Sequence, residues 1–353
     1  MGWGHSGHVR INTCTSLSFN QQMSQFMVWT SILAEHASDA DYRKDTDPTE
    51  APKHYIDIDN YDEFITTGRI PQTYDSVVAL YGEDFVIDQG ILPWATLITF
   101  DSLKSCFQRL DWNKAVIFAA DLGHYIADGY MPLHICKNYD GQYTGNDGIH
   151  SRYESTMING HITEINYSGE DIALISDVRQ YVFNYLYTNF TYADSVIAAD
   201  NYAKTISGNT SSTAYKQALW EKSQGFTIPL FKNASHSLAE LIYTAWVEAG
   251  SPLISPSFIV DPAYNPIAHL GQNTPNPFSS STNIEFTLRE NSIVHMEVRD
   301  LSGKTVELLS DKYYSAGNYS ITWNPRENIR GGIYYLVLNT GKYFEVKKIV
   351  LLK

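Results

Sequence analysis

Apolar residues recur at intervals of three and four from Leu17 to about Gly250, and at intervals of two from Ile284 onward. The first spacing turns one face of an α-helix inward, and the second puts alternate side chains on one face of a sheet. The helical period predicts segments near Gln21–Ala37, Asp75–Tyr81, Ala95–Leu110, Asn113–Tyr130, Ser151–Ile158, Ile172–Leu186, Ser212–Glu221 and Ser237–Glu248. Pro132 marks the end of the Asn113–Tyr130 helix, because a proline cannot continue the hydrogen-bond ladder. The tyrosine-rich run from Tyr181 to Tyr192 reads as packing. The pattern breaks near Gly250-Ser-Pro252, where Pro252, Pro256, Pro262, Pro266, Pro275 and Pro277 mark a linker. Beyond it, Ile284, Phe286 and Leu288 interleave with Glu285, Thr287 and Arg289, and Val294, Met296 and Val298 with His295, Glu297 and Arg299. Turn signals at Asp300-Leu-Ser-Gly303, Ala316-Gly317-Asn318 and Gly331-Gly332 complete the pattern of a small antiparallel β-sandwich. The expected organisation is a mainly α-helical catalytic domain over 3–252, a Pro-rich linker over 253–272 and a β-sandwich over 273–353.

Composition sets limits on this picture. A chain of 353 residues has room for one large and one small domain, and 43% hydrophobic residues supply a core. No run of about twenty apolar residues appears, so no membrane span is expected. Cys14, Cys106 and Cys136 are too few for a disulfide framework, and their odd number leaves at least one thiol free or paired outside the chain. A net charge of −14 argues against broad affinity for duplex nucleic acid and suits a secreted protein.

The densest chemistry lies in Leu122-Gly-His124-Tyr-Ile-Ala-Asp128-Gly-Tyr-Met-Pro-Leu-His134 and Ile149-His150-Ser-Arg-Tyr-Glu154. Residues four apart on a helix lie one above the other, so His124 with Asp128, and His150 with Glu154, can each offer two ligands to one metal. With 39 acidic residues and 11 histidines, roughly one such spacing arises by chance. Placement raises the odds: the face of His124 and Asp128 also carries Ile117 and Ala120, the core-directed stripe, where a charge must be paired or metal-bound. A hydrogen-bonded core His–Asp pair is the plainer alternative. Further candidates lie in Trp3-Gly4-His5-Ser6-Gly7-His8, Ala40-Asp41-Tyr42-Arg43 and His54-Tyr55-Ile56-Asp57-Ile58-Asp59.

In that order, Trp3, His8, Asp41, His54, His124, Asp128, His134, His150 and Glu154 resemble the ligand pattern of the zinc-dependent phospholipase C and S-one/P-one nuclease superfamily, over about Trp3 to Pro252. The resemblance implies an all-α fold, three zinc ions and hydrolysis of a phosphodiester. Asp41, His54, His124 and one oxygen of Asp128 would hold one zinc. The Trp3 α-amino and carbonyl groups, His8 and the other Asp128 oxygen would hold a second, and His134, His150 and Glu154 a third. Asp41 and Asp128 are then the candidate catalytic residues, since hydroxide shared by two zincs is nucleophilic near neutral pH. Asp39 remains the alternative to Asp41. The chain begins Met1-Gly2, so an amino-group ligand at Trp3 requires their removal; they read as a remnant of a leader or of the expressed form.

The substrate is less sharply indicated. Ser6 and Ala51 stand where choline-recognising phospholipases carry an acidic and an aromatic residue, leaving only Tyr42 to match. Tyr55 and Asp57 resemble the nuclease arrangement, an aromatic ring to stack an unpaired base and an acid to accept from its edge. Arg43 is a candidate phosphate contact, or else a solvated charge. The short His134 to His150 spacing and the acid Glu154 are phospholipase-like. The leading expectation is a nuclease on single-stranded DNA or RNA, the alternative a phospholipase C on phospholipid head groups, and the third a non-catalytic zinc-stabilised binding protein.

The tail resembles another family. Asn276-Pro277-Phe278, Asp300-Leu-Ser-Gly-Lys304, Ala316-Gly317-Asn318-Tyr319, Trp323, Gly332-Ile333-Tyr334-Tyr335 and Lys347-Lys348-Ile-Val-Leu-Leu-Lys353 are similar to the C-terminal sorting domain of type IX secretion in Bacteroidetes. That implies export to the cell surface or beyond it, with the type IX machinery as partner. An adhesion or carbohydrate-binding module is the competing reading.

Overall fold

The computed structural model describes residues 3–254, 268–300, 305–340 and 344–353. Met1 and Gly2, the linker prolines Pro256, Pro262 and Pro266, and the turn residues Leu301 to Gly303 lie outside them. The chain divides into two compact units, one from 1–27 with 36–255 and the other from 28–35 with 256–353.

In the helical unit the elements that carry or frame the site are α1 (Gly4–Thr15), α2 (Asp39–Arg43), α3 (Leu92–Gln108), α4 (Trp112–Gly129), α5 (Val178–Phe190), α6 (Ala193–Ile206) and α7 (Thr213–Glu248). Helix α4 starts where the Asp111 carboxylate accepts from the Lys114 N–H, which satisfies one of the open donors of its first turn. From Ala119 to Gly129 every residue of α4 is buried, because α1, α3 and α7 all pack on it. Such enclosure needs a smooth surface at the crossing. At Gly123 a Cβ would collide with Asn12 Oδ1 of α1 and lie 2.6 Å from Leu238 Cδ2 of α7.

Three local readings are corrected. The segments 212–221 and 237–248 are one helix, α7, which runs through Pro229. A mid-helix proline costs about 3 kcal/mol, and burial of Leu230, Phe231, Ala234, Leu238 and Ile242 on one continuous face offsets it. The region expected as one helix over 21–37 is a tight 3₁₀ stretch, Gln21–Trp29, followed by a short helix, Thr30–Glu35. Helix α5 begins at Val178 rather than near Ile172, because the Asp177 side chain caps Gln180 N–H. Helices α1 and α6 were not expected: α1 is mostly polar and small residues, whereas α6 buries Ala193, Val196, Ile197 and Ala203 at helical spacing.

The C-terminal unit holds β1 (Ala268–Leu270), β2 (Thr282–Leu288), β3 (Ser292–Arg299), β4 (Thr305–Tyr314), β5 (Gly317–Trp323), β6 (Gly332–Asn339) and β7 (Phe344–Leu351). They form a three-stranded sheet, β1-β2-β5, and a four-stranded sheet, β4-β3-β6-β7, with every pairing antiparallel. The apolar set sorts as expected: Ile284, Phe286, Leu288, Val294, Met296 and Val298 are all buried, with Trp323, Leu336, Leu338 and Ile349 filling the same core, while Glu297 of the polar set is buried too and pairs with Arg299 and Thr305. Among the described residues no helix is long and apolar enough to cross a membrane.

Gly123→Ala should destabilise the helical unit by about 1–3 kcal/mol through overpacking against α1 and α7. The check is chemical denaturation of the variant beside the parent; an unchanged midpoint would show that the crossing has slack.

Candidate metal centre

The site is built around α4. His124 and Asp128 sit one turn apart on it and are fully buried. His124 Nδ1 lies 2.7 Å from the carbonyl oxygen of Ala37. A carbonyl can only accept, so Nδ1 carries the proton and Nε2 is left to face inward. There it meets His54 Nδ1 at 3.0 Å, Asp128 Oδ2 at 3.4 Å and Asp41 Oδ1 at 3.6 Å. His54 Nδ1 is in turn 2.9 Å from Asp128 Oδ2 and 3.7 Å from Asp41 Oδ1. Asp41 comes from α2 and is also paired with Lys44 at 2.7 Å. Asp39, two residues earlier, points elsewhere, with Oδ2 2.6 Å from His36 Nδ1.

The second Asp128 oxygen looks the other way. Oδ1 is 3.6 Å from His8 Nε2 and 3.5 Å from His134 Nδ1. His8, on α1, stacks flat on His124 with ring centres 3.8 Å apart. One carboxylate therefore faces two groups of donors at once.

A further group lies beyond it. His134 Nδ1–H donates to the His54 carbonyl at 2.6 Å, and His150 Nδ1–H to the Tyr139 carbonyl at 2.9 Å. Their Nε2 atoms converge to 3.1 Å, with Glu154 Oε2 3.1 Å from His150 and 3.8 Å from His134. Glu154 is carried by a wide π-type turn over Arg152–Met157, an irregularity that re-aims side chains and recurs at functional sites. Arg152 anchors that turn through Asp200 at 3.1 Å and the Tyr215 hydroxyl at 2.9 Å. The extended segment that follows the 3₁₀ turn of His54 is set by a close backbone approach. Ile56 N–H donates to the His134 carbonyl, and Gly90, at φ +89°, passes so near the Tyr55 carbonyl that any Cβ would collide with it.

Electrostatics sharpen what this arrangement can hold. Burial would raise the Asp128 carboxyl, but the charges of His124 and His134 overcome it and keep it well below the usual range. Asp41 is held down in the same way by His124 against its burial. Burial would lower His124, yet Asp128 and Asp41 raise it to about 10. His8 is pushed well down by burial and by neighbouring His124, and burial also lowers His134. At His150, Glu154 outweighs burial and raises the imidazole. Without a cation, the carboxylates favour protons on His124 and His150. Even so, His8 Nε2, Asp128 Oδ1 and Glu154 Oε2 are buried atoms without a hydrogen-bond partner among the described residues. Imidazole lone pairs and carboxylate oxygens pointing at one another, with the other nitrogens of His124, His134 and His150 tied to carbonyls, form a donor set that fits divalent cations. Among the described residues three such groups occur: His8, Asp41 and His124; His54, His124 and Asp128; and His134, His150 and Glu154.

The remaining candidates divide. Trp3 caps the start of α1 with its ring against Phe231 and Tyr153, which brings the chain start beside the Glu154 turn. Whether its amino group is free depends on Met1 and Gly2, outside the described residues. Tyr55 and Asp57 are half-buried on either side of Ile56, whose N–H donates to the His134 carbonyl. Burial, Asp59 and Asp88 push the Asp57 carboxyl up to about 7. Tyr42 is 62% exposed. Arg43 is engaged inward, with Asp121 at 3.0 Å and Glu50 at 3.3 Å, rather than lying out in solvent. Glu50 was missed, although Glu50-Ala-Pro-Lys-His54 repeats the four-residue spacing; Pro52 hid the short turn that carries it. A cavity of about 610 Å³, lined by Arg43, Glu50, Lys53, Phe118 and Tyr125 among others, adjoins the site through Glu50, 3.5 Å from His54, but has no residue of the donor groups in its lining.

No curated relative matches the chain in sequence. Among solved structures the chain is similar to the "Alpha Toxin from Clostridium Absonum", with a TM-score of 0.45, 10% identity and coverage of 100% of this chain and 97% of that one. It is also similar to the Clostridium perfringens alpha-toxin isolated from avian strain SWCP, with a TM-score of 0.43, 10% identity and coverage of 99% and 96%. Likeness this loose carries no functional weight. Residues 274–352 match the secretion system C-terminal sorting domain, so the tail of this chain is a sorting domain that directs export to the cell surface or the extracellular space.

Proposed function

We propose that the helical unit is a divalent-cation-dependent phosphodiester hydrolase, most simply a zinc enzyme with up to three ions. The observation that carries this reading is the pair of Nε2 atoms of His134 and His150, 3.1 Å apart beside Glu154, with both Nδ1 atoms committed to carbonyls. Such a geometry repels itself unless a cation or a proton sits between the donors. His54, His124, Asp41 and Asp128 would hold one ion, His8 with the far oxygen of Asp128 would contribute to another, and His134, His150 and Glu154 would hold the last. When bound, the ions would lower the pKa of water and neutralise charge on phosphoryl oxygens. The chain's own part is to bind and orient: the buried carboxylates select cations, and the carbonyl-anchored imidazoles keep their lone pairs aimed.

The rim favours a phospholipid head group over a polyanionic strand. Tyr55 lies among Asp57 and Asp88 and close to Tyr139, whose carbonyl anchors His150. Asp57, Asp59 and Asp88 act on one another there, with Lys137 opposing them, so the surroundings of Tyr55 are acidic. An ammonium group over an aromatic ring suits such a rim, and a run of phosphates does not. Single-stranded nucleic acid remains the second reading, supported by Tyr55 beside a half-buried Asp57 able to pair with a base edge.

Purified protein, with and without a chelator, should release head-group phosphate from phosphatidylcholine micelles faster than it shortens single-stranded DNA or RNA. Chelation should abolish the activity and zinc restore it. The opposite preference would select the nuclease reading, and zinc uptake without either activity would leave a binding protein. Glu154→Gln should lose one ion by metal analysis and lower kcat on the order of 100-fold.

Cation affinity should also depend on pH, because His124, raised to about 10, must give up a proton to bind. Lower pH favours the protonated form, so affinity should fall by about tenfold per unit from pH 8 to pH 6. Chelator competition measures this, and a flat profile would contradict it. Removing residues after about Thr274 should stop export in the native host without changing the activity of the helical unit, as read from secreted and cell-bound fractions.

A further inference from the structure

Glu50 belongs to none of the three donor groups, yet it is 1% exposed and surrounded by partners. Its Oε1 accepts from the Tyr125 hydroxyl at 2.5 Å and faces Arg43 at 3.3 Å, while Oε2 pairs with Lys53 at 2.7 Å. The same Oε1 lies 3.5 Å from His54 Nε2. His54 presents its other nitrogen, Nδ1, to Asp128 and His124. At 3.5 Å the contact is an approach rather than a made hydrogen bond, and His54 Nε2 has no other hydrogen-bond partner among the described residues. A neutral imidazole carries one N–H, and a carboxylate facing Nε2 favours the proton there, leaving the Nδ1 lone pair for a cation.

This sets His54 apart from His124, His134 and His150, whose orientation comes from fixed backbone carbonyls. At His54 the orienting group is a side chain, and three neighbours fix where it stands. Tyr125 follows His124 directly on α4, so the helix that supplies one donor also braces the carboxylate behind another.

We propose that Glu50 is the positioning residue for His54, setting its tautomer and ring orientation, and that Arg43, Lys53 and Tyr125 act through Glu50 rather than on substrate. The proposal rests on the cation-binding reading above. It requires that removing the Glu50 charge weaken only the ion held by His54.

The test is zinc titration of the metal-stripped full-length chain, by calorimetry with chelator competition, for the parent, Glu50→Gln and Tyr125→Phe. Glu50→Gln should weaken one class of sites about 10–100-fold and leave the His134, His150 and Glu154 site unchanged. Tyr125→Phe, which keeps the carboxylate but removes a brace, should weaken the same class by a few-fold. Should Glu50→Gln fail to fold, Tyr125→Phe decides. Parent-like affinity in the folded variants overturns the Glu50 role while leaving the metal reading intact. A parent chain that takes up no zinc overturns both. Equal loss at every site would mark a merely structural carboxylate and also overturn the proposal.

Discussion

The structure of the helical unit turns on one buried carboxylate. Asp128 is fully enclosed on α4, and a charge in such a place costs several kcal/mol unless other charges or hydrogen bonds meet it. His124 from the same helix, and His54, His8 and His134 from three other segments of chain, converge on its two oxygens. Each of those segments must be packed before Asp128 is satisfied, which makes the site and the core of the domain one construction.

Pre-organisation comes from the groups behind the donors. Backbone carbonyls of Ala37, His54 and Tyr139 accept from three imidazoles, and Glu50 faces a fourth. The His54 segment serves twice, since its ring joins one donor group and its carbonyl orients His134 in another. Loss of order at any of these segments would be felt across the whole cluster rather than at one ligand, a coupling that pairwise distances alone understate.

The two units divide the labour. The helical unit carries the candidate chemistry, and the β unit carries the signal for export. Both are held together by buried apolar side chains, and the helical unit adds a cluster of buried polar groups that the β core between its two antiparallel sheets does not share. The strongly acidic balance of the chain suits a secreted protein, while the positive field that a phosphoester needs would be supplied locally by bound cations.

Much of this was readable from residue order. Period-two spacing of Ile284, Phe286, Leu288, Val294, Met296 and Val298 specified which faces close over the β core, because strand geometry alternates whatever the partner. The four-residue spacing of His124 with Asp128 set both on one helix face, and the tail motifs announced the sorting domain. Other features depended on contacts between distant segments. Helix α7 continues through Pro229 because burial along its whole length outweighs a local penalty, and 21–29 tightens into 3₁₀ geometry despite its helical period. Both Asp39 and Asp41 had the right chemistry, but only the packing of α2 turns Asp41 toward His124 and Asp39 toward His36. Glu50 drew no notice, since its part depends on Tyr125 and Arg43 folding around it. Local periodicity determined elements and faces, as backbone geometry is short-ranged; which carboxylate meets which imidazole was decided in three dimensions, where burial makes the wrong partner too costly.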